Sequence, residues 1–150
     1  MNARGFTVAE LMIVLAIASV LATLVAPTLS SYARTATLQA AARELATSIN
    51  LGRQLAISRN TTVCVEVATP TNIRLRTGGC GGAIWTGPAT DGSGAIKLSS
   101  SSALQISTTA NVVFTSLGAA SPAGTYTLTN PSTNGTRTVV IAATGRVSVR

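Results

Sequence analysis

The most constraining feature of this 150-residue chain is an apolar run with a single acid inside it. Residues 11–26, LMIVLAIASVLATLVA, carry no charge, and residues 6–10, FTVAE, extend the run toward the N-terminus. Wound as a helix at 1.5 Å per residue, positions 6–26 would be about 32 Å long, matching a hydrocarbon core of about 30 Å. The run therefore predicts a membrane-spanning segment. Glu10 sits within it, and an unpaired carboxylate there costs on the order of a few kcal/mol, so this acid needs a cationic partner. The leader is short and basic, and the small residue that looks like a processing site, Gly5, precedes the apolar residues, whereas a secretory signal is cut beyond them. Cleavage after Gly5 would free the amino group of Phe6, one helical turn from Glu10. In a stack of helices, the amine of a neighbouring subunit would be a partner for the carboxylate.

With GFTVAE followed by LMIVLAIA, the N-terminus resembles type IV pilins and type II secretion pseudopilins. The resemblance implies that a prepilin peptidase cuts between Gly5 and Phe6, that Phe6 is N-methylated, and that Glu10 serves filament assembly. It also implies a single-pass protein of the bacterial inner membrane with a periplasmic domain, later carried into a surface pilus beside other pilins or pseudopilins. The expected fold is α+β, a type IV pilin-like fold. In it a long N-terminal helix, membrane-spanning in its first half, packs against a C-terminal antiparallel β-sheet domain. The corresponding division is a leader over 1–5, a transmembrane and assembly helix over 6–29, and an extracytoplasmic pilin domain over 30–150 that includes the amphipathic half of the helix.

The residue pattern beyond the apolar run agrees with that expectation. Leu38, Ala42, Leu45, Ile49 and Ala56 recur at helical spacing, with Ala41 and Gly52 as small neighbours on the same side, so the helix should continue to about Asn60. Arg34, Arg43, Glu44, Arg53 and Arg59 fall on or near its wet side. Pro27 lacks a backbone donor and predicts a kink or local unwinding. The period then changes to two: Val63, Val65 and Val67 alternate with Cys64 and Glu66, and residues 73–77 return after a turn at Pro70, Thr71 and Asn72. Further strands are expected around Trp85 and over 96–98, 104–107, 112–115, 125–129 and 138–142. Asn134-Gly135 is the strongest hairpin signal, and it sets 126–128 beside 138–142. The helix-to-hairpin junction resembles the GspH and FimT group of the pilin family.

Composition narrows the chemistry. There is no His, and the acids are Glu10, Glu44, Glu66 and Asp91. Metal sites and most acid–base constellations lack raw material, so neither an enzyme nor a cofactor is expected. Charged residues are only 10% of the chain, yet the net charge is +7. Beyond the apolar run the cations are Arg34, Arg43, Arg53, Arg59, Arg74, Arg76, Lys97, Arg137, Arg146 and Arg150, a bias toward arginine that favours bidentate contact with phosphate. Cys64 and Cys80 are the only cysteines. In an oxidising compartment they would close a loop worth about 3 kcal/mol, and two free thiols is the alternative.

The C-terminal stretch TRTVVIAATGRVSVR, residues 136–150, reads as two alternating runs around a turn at 143–145. Arg146, Ser148 and Arg150 share one face of the last strand, spanning about 13 Å, within reach of successive phosphates. This ending resembles the basic C-terminal signature of the FimT group, which implies binding of double-stranded DNA during natural transformation. Gly145 and Arg146 match the signature; Ser148 stands where its second arginine would be, and Arg150 follows two residues later. Arg137 and Lys97 are candidates for widening the patch, with Arg137 nearly opposite Arg150 in a tight hairpin. Aromatic residues are too few for a stacking platform, so the expected contact is to the DNA backbone without sequence preference. The alternative is a structural minor pilin, or a GspH-like pseudopilin of type II secretion, that binds no DNA.

Overall fold

The computed structural model describes residues 7–99 and 104–150, and within the helix it leaves aside the side chains at 24–28 and 30. The leader, Gly5 and Phe6 lie outside the described residues, as does most of the serine run at 99–102. The elements in order are α1 (Val8–Ser58), β1 (Val63–Thr69), β2 (Asn72–Thr77), β3 (Ala83–Ile84), β4 (Ala95–Lys97), β5 (Gln105–Thr108), β6 (Val112–Phe114), β7 (Gly124–Asn130), β8 (Gly135–Ile141) and β9 (Val147–Val149). The α+β expectation holds. Two compact units are distinguished, Met1–Ala36 and Thr37–Arg150.

In the first unit α1 opens on an N-cap: the Glu10 amide donates to Thr7 Oγ1 at 3.2 Å, satisfying one of the orphan donors of the first turn. Leu11, Met12, Ile13, Val14 and Leu15 are all more than half exposed. Five consecutive positions point in every direction around a helix, so this is an apolar surface on all sides and not an amphipathic stripe. Among the described residues no helix is long and apolar enough to cross a membrane; the expected span also uses positions 6 and 24–26, which lie outside the described side chains. α1 is helical through position 27, so the expected unwinding at Pro27 does not occur. Proline removes one donor, and the flanking hydrogen bonds keep the backbone helical.

In the second unit the end of α1 is amphipathic. Leu38, Ala41, Ala42, Leu45, Ile49, Leu55 and Ala56 are buried, while Arg43 and Thr47 on the other side are exposed. Small residues let the helix approach the sheet. A Cβ added at Gly52 would sit 3.0 Å from Leu75 Cδ2 and 3.2 Å from Val65 Cγ2. The helix stops because Asn60 takes a left-handed conformation (φ 48°), with Asn60 N donating to Ile57 O and Thr61 N to Ala56 O, the Schellman pattern.

The strands form two antiparallel sheets. One has the order β3-β2-β1-β6, with β4 also on β2; the other has the order β5-β7-β8-β9. Alternation puts Val63, Val65, Ile73 and Leu75 of the first sheet and Tyr126, Leu128, Val139 and Ile141 of the second into one core with the helix. Tyr126 joins the sheets: its hydroxyl donates to Val65 O at 2.7 Å and accepts from Val112 N at 3.2 Å. Cys64 and Cys80 form a disulfide, Cα–Cα 4.9 Å, so the bridged alternative is the one realised. The hairpin at Asn134 is present with a longer turn than a two-residue Asn-Gly loop: Asn130 pairs with Gly135, and Asn134 supplies the left-handed residue at φ 52°.

Candidate functional site

β9 is placed by its pairing with β8. Val139 faces Val149, Val140 faces Ser148 and Ile141 faces Val147. The ladder continues at both ends, where Thr138 and Arg150 exchange two backbone hydrogen bonds of 3.0 and 2.8 Å and Ala142 N donates to Arg146 O at 3.0 Å. Residues directly opposite in an antiparallel pair share a face. Thr138, Val140 and Ala142 therefore lie with Arg150, Ser148 and Arg146, and the two arginines are exposed. Val140, Ala142, Arg146, Ser148, Val149 and Arg150 line a groove of about 330 Å³ without an acid among them. The chain thus brings together Ser148 of β9 and the two arginines that flank the strand, the three residues that its alternation singled out.

The same register corrects the reading of Arg137. Thr138, not Arg137, is opposite Arg150. Arg137 pairs with Leu128 and shares the parity of Val139 and Ile141, the core-facing side, where it is half-buried near the strand end. A one-residue offset in pairing moves a side chain to the other face, and no local pattern decides it. Lys97 is also separated from the groove. It belongs to β4 in the other sheet, beside β2, and its Nζ lies 3.8 Å from Asp91 Oδ2.

A residue assigned by periodicity to the wet side of the helix turns out to support the groove. Arg53 Nε donates to Gly118 O at 2.9 Å, tying α1 to the loop after β6. Gly145, immediately before Arg146, packs into the same junction. Its φ is 79°, and a Cβ there would collide with Gly118 O and come within 3.0 Å of Arg53 Nε. Ala120 N donates to Ala143 O at 2.9 Å, closing the contact between the two loops. Glycine before Arg146 is therefore required by backbone geometry and by space. Arg53 adjoins Gly52 on the flank of the buried stripe, which is the only sequence signal for this role.

The remaining candidates are dispersed. Arg76 pairs with Glu66 at 2.7 Å and donates to Gly82 O at 3.1 Å. Phe114 and Tyr126 are fully buried and Trp85 nearly so, so among the described residues of this unit no aromatic ring is exposed as a stacking platform. Asp91 accepts from Ser93 Oγ, Ser93 N and Ala95 N, and these bonds hold its pKa down at about 2. Glu10 is exposed and makes no salt bridge among the described residues.

Comparison with known proteins accounts for this architecture. The family described as type II transport protein GspH matches residues 41–145, and the prokaryotic N-terminal methylation motif matches residues 1–26. The crystal structure of the type IV minor pilin FimU of Pseudomonas aeruginosa is similar at TM-score 0.60 and 18% identity, covering 79% of this chain and 92% of that one. The minor pseudopilin EpsH from the type 2 secretion system of Vibrio cholerae is similar at TM-score 0.59 and 11% identity, covering 75% and 95%. At such identities the likeness is one of fold. No curated protein matches the sequence. Because the GspH match spans most of the chain and the prokaryotic N-terminal methylation motif precedes it, the chain belongs to the GspH family.

Proposed function

We propose that this subunit is a minor pilin of a type IV pilus that binds double-stranded DNA through its terminal hairpin for uptake in natural transformation. The observation that carries the reading is the exposed, acid-free groove in which Arg146 and Arg150 flank Ser148 on one face of β9. Two guanidinium groups on a rigid strand suit the repeat of a phosphate backbone, and the burial of Trp85, Phe114 and Tyr126 favours backbone contact without sequence preference. Before assembly the chain is held in the inner membrane by residues 6–29, with the domain in the periplasm. A prepilin peptidase releases Phe6 and methylates it, and Glu10 then pairs with the amine of a neighbouring subunit.

The test is DNA binding against salt by the full chain in zwitterionic detergent. Each phosphate-contacting arginine adds about 0.9 to the log–log salt slope, so Arg146→Ala with Arg150→Ala should remove roughly two units along with most of the affinity. A structural role without DNA binding is favoured by one observation, the match to a type II transport protein. That role requires the parent to show no binding even at low salt, or the double variant to bind as the parent does.

A further inference from the structure

The globular unit Thr37–Arg150 contains three acids, and each is engaged within the chain. Glu44 accepts from Ser99 N at 3.1 and 3.0 Å and from Ser99 Oγ at 3.0 Å. Glu66 is held by Arg76. Asp91 caps its own loop and faces Lys97. Arg43, Arg53, Arg59, Arg74, Arg137, Arg146 and Arg150 make no salt bridge among the described residues. A second copy of this unit would bring the same excess of cations over acidic side chains, so charge complementarity favours an acidic neighbour.

Among these arginines Arg74 occupies the most defined setting. It lies on the outer face of β2, between Asn72 and Arg76, with Glu66 directly across on β1 and Ala95 directly across on β4. Glu66 gives its carboxylate to Arg76 instead. Arg74 Nε is buried and has no hydrogen-bond partner, and the same holds for Asn72 Oδ1 one position along the face. Lys97 stands opposite Asn72 with a side chain 62% exposed. A guanidinium on a strand with no salt bridge and its Nε unpartnered, next to the exposed ammonium of Lys97, is a receptor for a carboxylate.

We propose that the outer face of the five-stranded sheet, centred on Arg74, docks a carboxylate on the surface of a different, acidic subunit of the filament. The excess of arginine on this unit disfavours a second copy as the source, and charge complementarity sets the chemistry of the neighbour. The face lies on a different sheet from the groove of β9, so the proposal stands independently of DNA binding.

The experiment titrates the full chain, in zwitterionic detergent at low salt, with a hexaglutamate peptide blocked at both ends. Arg74→Gln should weaken binding about three- to tenfold, as expected for loss of one well-placed ion pair, with Arg74→Lys between it and the parent. Arg43→Gln and the Arg146→Ala, Arg150→Ala pair should each weaken it less than twofold. Should Arg74→Gln fail to fold, judged by its melting profile, the Lys variant decides. Equal affinity of parent and Arg74 variants overturns the proposal, as does equal weakening by Arg43→Gln, which would reveal only diffuse charge. Complete displacement of the peptide by duplex DNA with loss of the Arg74 dependence would assign the face to polyphosphate and overturn it too. So would a cross-link from position 74 to position 74 of a second copy.

Discussion

At the residue scale, Tyr126 and Asp91 have displaced pKa values and make opposite predictions. Burial of the Tyr126 phenol pushes its pKa up to about 12, above the ordinary value of 10. The folded state holds the proton more tightly, so this contribution is intact below pH 10 and is lost as pH rises through about 12. Tyr126→Phe should remove that alkaline dependence. It should also cost about 1–3 kcal/mol, because Val65 O and Val112 N lose their partner in the core. Asp91 works the other way. Its folded pKa is near 2, below the usual value of about 3.9, so its contribution is present above that value and is lost as pH falls toward 2. Thermal midpoints measured from pH 2 to 12 for the parent, Tyr126→Phe and Asp91→Asn would check both; an unchanged alkaline limb in the Phe variant would contradict the first. Neither role was legible in the sequence. Tyr126 read as ordinary core, and the partners of its hydroxyl come from strands far away in the chain.

At the element scale, the terminal hairpin shows how much of a binding surface alternation can specify. The common face of Arg146, Ser148 and Arg150 follows from period two alone. The position of Arg137 does not, since it depends on which residue of β8 meets Arg150, and that is decided by the turn around Gly145 and its packing on Gly118 and Arg53. Gly145→Ala should therefore destabilise the fold by about 1–3 kcal/mol, as a denaturant midpoint would show, through its left-handed backbone and lack of space. The disulfide belongs to the same scale. Cys64 and Cys80 are 16 residues apart, and reduction should cost about 3 kcal/mol, read as a lower midpoint in reductant.

At the scale of the whole molecule, the second unit carries the buried core, and the first carries apolar side chains that nothing in the described chain covers. On the proposed function, filament assembly is where that surface finds partners. Glu10→Ala should leave the melting profile of the globular unit unchanged while abolishing incorporation into filaments, scored by immunoblot of sheared pili; normal incorporation would remove the pairing role of Glu10. Mass spectrometry of the assembled subunit should find Phe6 at the N-terminus, methylated. The sequence by itself determined the family, the long helix, the apolar surface of its first half, most of the strands and the exposed face of β9. These depend on local periodicity and on short motifs, which are written in consecutive residues. Only the tertiary structure decided the two-sheet division, the Tyr126 joint, the exclusion of Arg137 and Lys97 from the groove, and the service of Arg53 beneath Gly145. Each of these rests on register or on contacts between residues distant in the chain, and local pattern carries no information about where a distant partner will stand.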